Sequence, residues 1–376
     1  MKIAIVAAGF TPDEADQLCR AMASFRHIGT LSRFHDKLID GMVAKGYQPE
    51  FAARVFRQIE GFGDYGFPES HAASFAHLVY VSAWLKCHHP AVFACALLNS
   101  QPMGFYAPAQ IVGDARAHGV RVLPVDVNHS DWDCTLESGS LRLGLRQISG
   151  FARKDADALL AARGTLYASP AQLGRRAGLA AAALTRLADA DAFTSLGLSR
   201  RQALWAARAC TAPPPPLFAA LEDSREAEVT LPAMALGEQV VEDYAHLRLS
   251  LRAHPLSLLR PTLARHRVVP AARLPVCRHR VTVAGLVLVR QRPGTASGVI
   301  FMTLEDETGV SNIVVWPHLF ESNRIAVLCG RLLQIEGRLQ NEDNVIHVLA
   351  EKIIDRSAWL DALATPGFRS ASRDFH

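Results

Sequence analysis

Over the first hundred positions the apolar residues recur at helical spacing, and the polar residues between them read as caps and first turns. "TPDEADQLCRAMASF" opens with Thr11, Pro12 and three acids, the chemistry of a helix N-terminus. "PEFAARVFRQIEGFG" spaces Phe51, Val55, Phe56 and Ile59 for a second helix, with Gly61 as the expected stop. "ASFAHLVYVSAWLKCHH" predicts a third helix whose composition calls for burial along most of its length, and Pro90 starts a fourth. "PAQIVGDARAHGVRVLPVDVN" predicts a helix and then a short strand ending near Asp126.

Between about 141 and 210 the pattern becomes short Ala-rich helices broken by Gly and Asp. "LGLRQISGFARKDADALLAAR" predicts helix, tight turn at Ser149–Gly150, and helix. "LAAAALTRLADADAFTSLGLSRRQALWAAR" repeats that rhythm as a degenerate second copy. "TAPPPPLFAALEDSREAEVTLP" reads as an extended linker, followed by helical segments around "GEQVVEDYAHL" and "LSLRAHPLSLLRPTL". From about 278 the period switches to two. Five β-rich runs separated by Gly, Asp and Asn turns, with one helical insert at "HLFESNRIAVL", fit an OB-fold, a small barrel often used for single-stranded nucleic acid. The fold class expected is therefore multidomain α+β, with a helical first part and a five-stranded barrel at the C-terminal end.

Composition changes this picture little. With 376 residues, 49% hydrophobic and 20% charged, the chain can bury several cores. A net charge of +4 permits a nucleic-acid partner without requiring one. The seven cysteines form no Cys-x-x-Cys pair and read as free thiols of a reducing, cytoplasmic compartment. The N-terminus lacks a signal-peptide pattern, and the longest apolar run, near 75–85, is too short to span a bilayer, so no membrane association is expected.

The stretch "YGFPESHAASFAHLVY" (65–80) raises a sharper question. Ser70 reads as the N-cap of the third helix, and His71 and Ser74 then share one face. That arrangement is either an ordinary capped helix or a helix N-terminus offered to phosphate. "KCHHPAVFAC" invites a metal reading, but adjacent histidines point to different faces and the spacing matches no common zinc site; a polar break between two helices accounts for it.

"GFGDYGFPESHAASFAHLVYVSAWLKCHHPAVFACALLNSQPMGFY" closely resembles the fingers of bacterial C-family DNA polymerases. The similarity is strongest to their error-prone, damage-inducible branch, related to the DNA polymerase III alpha subunit. "VDVNHSDWDCTLE", "VAGLVLVRQRPGTASGVIFMTLEDETGVSNIVVWP" and the terminal "SRDFH" fit the same branch. The resemblance implies the C-terminal part of the fingers over 1–138 and tandem helix-hairpin-helix units over 139–210. It further implies a Pro-rich linker with connecting helices over 211–277, an OB-fold over 278–356 and a tail over 357–376.

It also implies damage-tolerant, DNA-templated DNA synthesis, with DNA and a deoxynucleoside triphosphate as partners. The candidate nucleotide-binding residues are Arg20, Tyr65, Ser70, His71, Ser74 and Phe75. Relatives carry a second arginine where Cys19 stands, Lys at Glu69 and Tyr at Phe75. Each change argues for a looser triphosphate pocket. Candidate duplex contacts are Gly150, Arg153 and Lys154 at the first hairpin, although Ala152 and Asp191 replace usual glycines. In the barrel, Arg290 and Arg292 are expected on or beside a loop. Phe301 and Trp316 read equally as base-stacking or core aromatics. Leu217 and Phe218 echo a clamp-binding peptide but lack its glutamine. A sliding clamp and partner mutagenesis proteins are the further partners of this branch.

The palm motif Pro-Asp-x-Asp-x-Asp does not occur in the chain, so no catalytic residue is assigned and no cofactor is expected here; Mg²⁺ belongs to the complete polymerase. The nearest acids, Asp126, Asp131 and Asp133, fall outside that element. The chain reads as the C-terminal third of such an enzyme. The rival readings are an inactive DNA-binding module that works with a separate palm, and a non-functional gene remnant.

Overall fold

The computed structural model describes residues 2–22, 34–65, 69–104, 106–210, 231–293, 297–342, 345–363 and 373–375. The chain divides into two compact units, residues 1–87 and 88–376.

The first unit is helical: α1 (Lys2–Ala8), α2 (Pro12–Met22), α3 (His35–Ala44), α4 (Pro49–Tyr65) and α5 (Glu69–His88). Thr11 and Glu14 cap α2 reciprocally: each backbone amide donates to the other's side chain, at 3.0 and 3.3 Å. A small core of Leu18, Phe34, Leu38, Met42 and Phe56 joins α1 to α4. Three sequence expectations are corrected here. Helix α4 runs through Gly61 to Tyr65, because a glycine weakens a helix by only about 1 kcal/mol and the buried face of Ala52 and Phe56 holds it. Helix α5 begins at Glu69, so Ser70 lies inside its first turn and is not its cap. Most of all, α5 is not buried: every residue from 71 to 84 is exposed. Composition states a demand for burial; it does not supply the covering layer.

The second unit opens with α6 (Pro90–Asn99) and α7 (Pro108–Ala117). A three-stranded sheet follows, of order β1 (Val122–Leu123), β3 (Ser140–Arg142), β2 (Thr135–Glu137). β1 stops before Pro124, which has no amide for a ladder, and not near Asp126. The β2–β3 hairpin turns at Ser138 and Gly139, both at positive φ, as a two-residue primed turn requires. Next come α8 (Arg153–Ala162), α9 (Pro170–Ala177), α10 (Ala181–Asp189) and α11 (Arg200–Ala209). The helix expected before Ser149 is one 3₁₀ turn, Leu145–Gln147, since Gly144 and Gly150 leave too little chain for more. Leu141, Leu145, Leu159, Leu184, Leu187 and Phe193 share one core.

Helices α12 (Leu236–Leu247) and α13 (Pro255–Arg265) bridge to the barrel. Leu247 enters the core just described, whereas Val241 joins Leu256, Leu259 and Leu263 against Ala284, Leu286 and Leu332 of the barrel. The barrel strands are β4 (Arg280–Gln291), β5 (Ile300–Asp306), β6 (Gly309–Val315), β7 (Leu332–Glu342) and β8 (Val345–Asp355). They pair in the order β5-β6-β8-β7-β4, and β4 returns to β5 to close the ring. Helices α14 (Pro317–Ser322) and α15 (Arg324–Cys329) are the predicted insert. α16 (Ser357–Asp361) follows the barrel, and β9 (Arg373–Phe375) adds parallel to the end of β4. Among the described residues no helix is long and apolar enough to cross a membrane.

Candidate nucleic-acid interface

The first hairpin is built by two buried anchors. Ile148 and Phe151 sit in the core, which leaves Ser149 and Gly150 at the tip. Gly150 holds φ +72°, where an L side chain is strained. The Ser149 amide donates to the His246 carbonyl of α12 at 2.8 Å, tying the tip to the bridge. Among the described residues no backbone carbonyl accepts from the amides of Gly150, Ala152, Arg153 or Lys154. These donors lie at the tip and the N-terminus of α8, where a partial positive charge favours phosphate.

The cations around this tip are not equivalent. Arg153 donates to Asp157 at 2.8 Å and its guanidinium lies 5.2 Å from the Trp132 ring. Lys154 is exposed without an ion-pair partner among the described residues. Arg186, from α10, is exposed too, and a Cβ built on Gly150 would meet its Nε at 3.5 Å. Sequence spacing could not find Arg186, because it comes from the second repeat and reaches the first only in the fold. Other arginines of this region serve the chain itself: Arg142 clasps Glu137 through both carboxylate oxygens, and Arg146 binds Asp133 and the carbonyls of Asn99 and Gln101.

The second hairpin is different. Asp191 adopts φ +57°, a conformation that glycine takes without strain, and its buried carboxylate accepts from Arg252. Arg252 also grips Asp243, which in turn holds the buried Arg200 of α11. Burial works against the Arg252 charge, but Asp243 and Asp191 outweigh it, and its pKa rises above the ordinary arginine value. The acid at this hairpin is thus consumed inside the chain, and the hairpin acts as a tie between α10, α11 and α12.

Asp126, Asp131 and Asp133 do not converge. Asp126 is buried and accepts the amides of Asn128 and Ser195 at 2.8 and 3.0 Å; Asp131 meets Arg163 and Asp133 meets Arg146. Among the described residues no three His, Cys, Asp or Glu side chains are placed to hold a metal ion, so the acids seen here do not fit the catalytic Mg²⁺ of a polymerase. Cys95 donates to the Cys134 carbonyl, and burial pushes the Cys134 thiol up to about 11, as suits packing thiols.

In the barrel the register separates the sequence candidates. Arg290 pairs with Met302, whose side chain lies in the barrel core. It is therefore buried, with its guanidinium donating to the carbonyls of Val327 and Gly330. The expectation of Arg290 as a DNA contact beside a loop is corrected: it anchors the end of α15. Arg292 is exposed, 5.4 Å from the Phe320 ring. Phe301 pairs with Val314 on the outer face, and Trp316 follows two positions later; they are 37% and 45% exposed, so neither is a core aromatic.

On α5, His71, Ser74 and Phe75 share one exposed face at i, i+3 and i+4. The side chains of Arg20, Tyr65 and Ser70 lie outside the described residues, as do Leu217 and Phe218.

Three family descriptions match this layout: the bacterial DNA polymerase III alpha subunit finger domain over 1–46, the helix-hairpin-helix motif over 119–203, and the OB-fold nucleic acid binding domain over 281–356. The error-prone DNA polymerase of Ruegeria pomeroyi is 57% identical over 97% of this chain. The chain is a relative of the bacterial error-prone DNA polymerases. Those of Brucella abortus and Sinorhizobium medicae are 55% and 51% identical over 96% and 100% of it. The chain spans about a third of these error-prone polymerases: 34%, 34% and 36% of their lengths.

Proposed function

We propose that this chain serves error-prone, damage-tolerant DNA synthesis by holding DNA and the incoming nucleotide, while the carboxylates and Mg²⁺ that perform nucleotidyl transfer reside in polypeptide outside it. The observation that carries the reading is the first hairpin, where backbone donors at a helix N-terminus stand beside Lys154 and Arg186. Such donors fix a phosphate backbone without reading sequence. The barrel face of Arg292, Phe301 and Trp316 would take the single-stranded template by stacking and charge. His71, Ser74 and Phe75, with Arg20, Tyr65 and Ser70, would contact the triphosphate. Enzymes of this kind work at the chromosome, in the cytoplasm; a sliding clamp engaging Leu217 and Phe218, and partner mutagenesis proteins, complete the proposal.

The test is fluorescence anisotropy of duplex, single-stranded and primer–template DNA across a salt series. Log affinity should fall linearly with log salt, by roughly 0.9 per neutralised phosphate on duplex and about 0.7 on single strand. A folded sample that binds none of the three at low salt would overturn the proposal. Efficient primer extension by the isolated chain would overturn the assignment of the chemistry to other polypeptide.

Phe301→Ala should weaken single-strand binding by about 1–3 kcal/mol, the worth of one stacked base, and leave duplex binding unchanged. Because the ring is 37% exposed, the barrel should keep its melting temperature within a few degrees; a matched loss of stability and binding would return Phe301 to a packing role.

A further inference from the structure

Fourteen consecutive residues of α5, 71–84, are exposed, and none is Asp, Glu, Lys or Arg. Phe75, Leu78, Val79, Tyr80 and Trp84 are 52%, 57%, 65%, 71% and 46% accessible. These residues fall on successive sides of the helix, so the apolar surface surrounds it. A soluble amphipathic helix presents one apolar stripe; a helix apolar all round belongs inside a larger body.

Several occupants fail on the page. A nucleic-acid backbone running along the helix would be met by Lys and Arg, and this segment has neither. A membrane-surface helix needs a strongly charged polar face, which is also missing. A second copy pairing helix to helix would cover one side and leave the other wet. What remains is a polypeptide that encloses the helix. The curated relatives match this chain over nearly all its length yet are about three times as long.

We infer that residues 71–84 form the insertion segment through which the remainder of the polymerase, supplied in the same polypeptide or as a separate one, assembles onto this chain. The inference rests on the proposed function, since it takes the covering partner to be the polymerase portion outside this chain. It assigns the segment a second duty: one face carries the His71, Ser74 and Phe75 candidates, and the other sides are packing surface.

The test adds the part of the Ruegeria pomeroyi polymerase lying outside the matched region to this chain as a separate polypeptide. Hydrogen exchange is then followed by mass spectrometry. Exchange over 71–84 should slow in the mixture and not with either polypeptide by itself. The double variant Val79→Glu/Tyr80→Glu should weaken assembly by about a hundredfold, as the lost burial of two large apolar side chains implies. Unchanged circular dichroism of the variant shows that the exposed substitutions leave the helix intact. The inference is overturned if no complex forms, if a complex forms while exchange over 71–84 stays the same, or if the segment becomes protected in the isolated chain as concentration rises and a dimer appears. DNA binding by the same variant reads the proposed function independently, because the hairpin and barrel lie in residues 88–376.

Discussion

Asp243→Ala should destabilise the second unit by about 3–5 kcal/mol, the cost of leaving a buried charge without its partner. Asp243 is 2% exposed and receives Arg200, Arg252 and the Ser250 hydroxyl. Arg200 is itself 4% exposed, and its Nε already has no hydrogen-bond partner. Removing the carboxylate would strand a guanidinium in a site that cannot rehydrate without opening the α11–α12 contact. Urea denaturation followed by tryptophan fluorescence measures the loss. The paired change Asp243→Leu with Arg200→Met should recover most of it, because an apolar pair of similar volume needs no counter-charge. Breaking the exposed Arg280–Glu351 pair by Arg280→Ala should cost under about 1 kcal/mol. If Asp243→Ala costs no more than Arg280→Ala, the network is not a structural tie.

The double variant Lys154→Ala/Arg186→Ala should lower the duplex salt slope by about 1.8 and weaken duplex binding on the order of tenfold or more at moderate salt, equally for all sequences. Both cations are exposed and uncommitted among the described residues, so the change should not disturb the core. Arg153→Ala should matter less, because that side chain is already shared between Asp157 and Trp132. Single-strand affinity should be unaffected, since the proposed function assigns it to the barrel. A variant slope equal to that of the parent protein would place the duplex elsewhere on the molecule.

The five barrel strands were legible because alternation reports directly which side of a sheet is buried, and the helical insert broke that alternation cleanly. Alternation pointed the wrong way for Arg290: Val281, Val283 and Val287 face the barrel core at odd positions, and only the register shift between Val287 and Val289 turns the even-numbered Arg290 to that same inner side. Phe301 and Trp316 could not be decided from sequence, since an outward aromatic and an inward one differ by a register step that only strand pairing fixes. The β2–β3 hairpin was missed although Ser138–Gly139 flanked by leucines marks it, because its strands are only three residues long. Arg186 was invisible for another reason: its proximity to Gly150 is a product of packing between repeats. The exposure of α5 was misjudged because a sequence records what a helix needs, whereas whether a layer covers it is settled only by packing.

The residues on either side of 211–230 are held by the same helix, α11. Cys210 packs against the core of the helical region. Just past the segment, the Pro232 carbonyl and the Glu238 carboxylate are both held by Arg201 of α11, while Arg200 donates to the Gln239 carbonyl. The entry and exit points are therefore fixed by α11 and not by the intervening chain. Lengthening such a closed excursion costs only about 0.6 kcal/mol per doubling. A foreign sequence spliced into it should therefore leave hairpin and barrel in register.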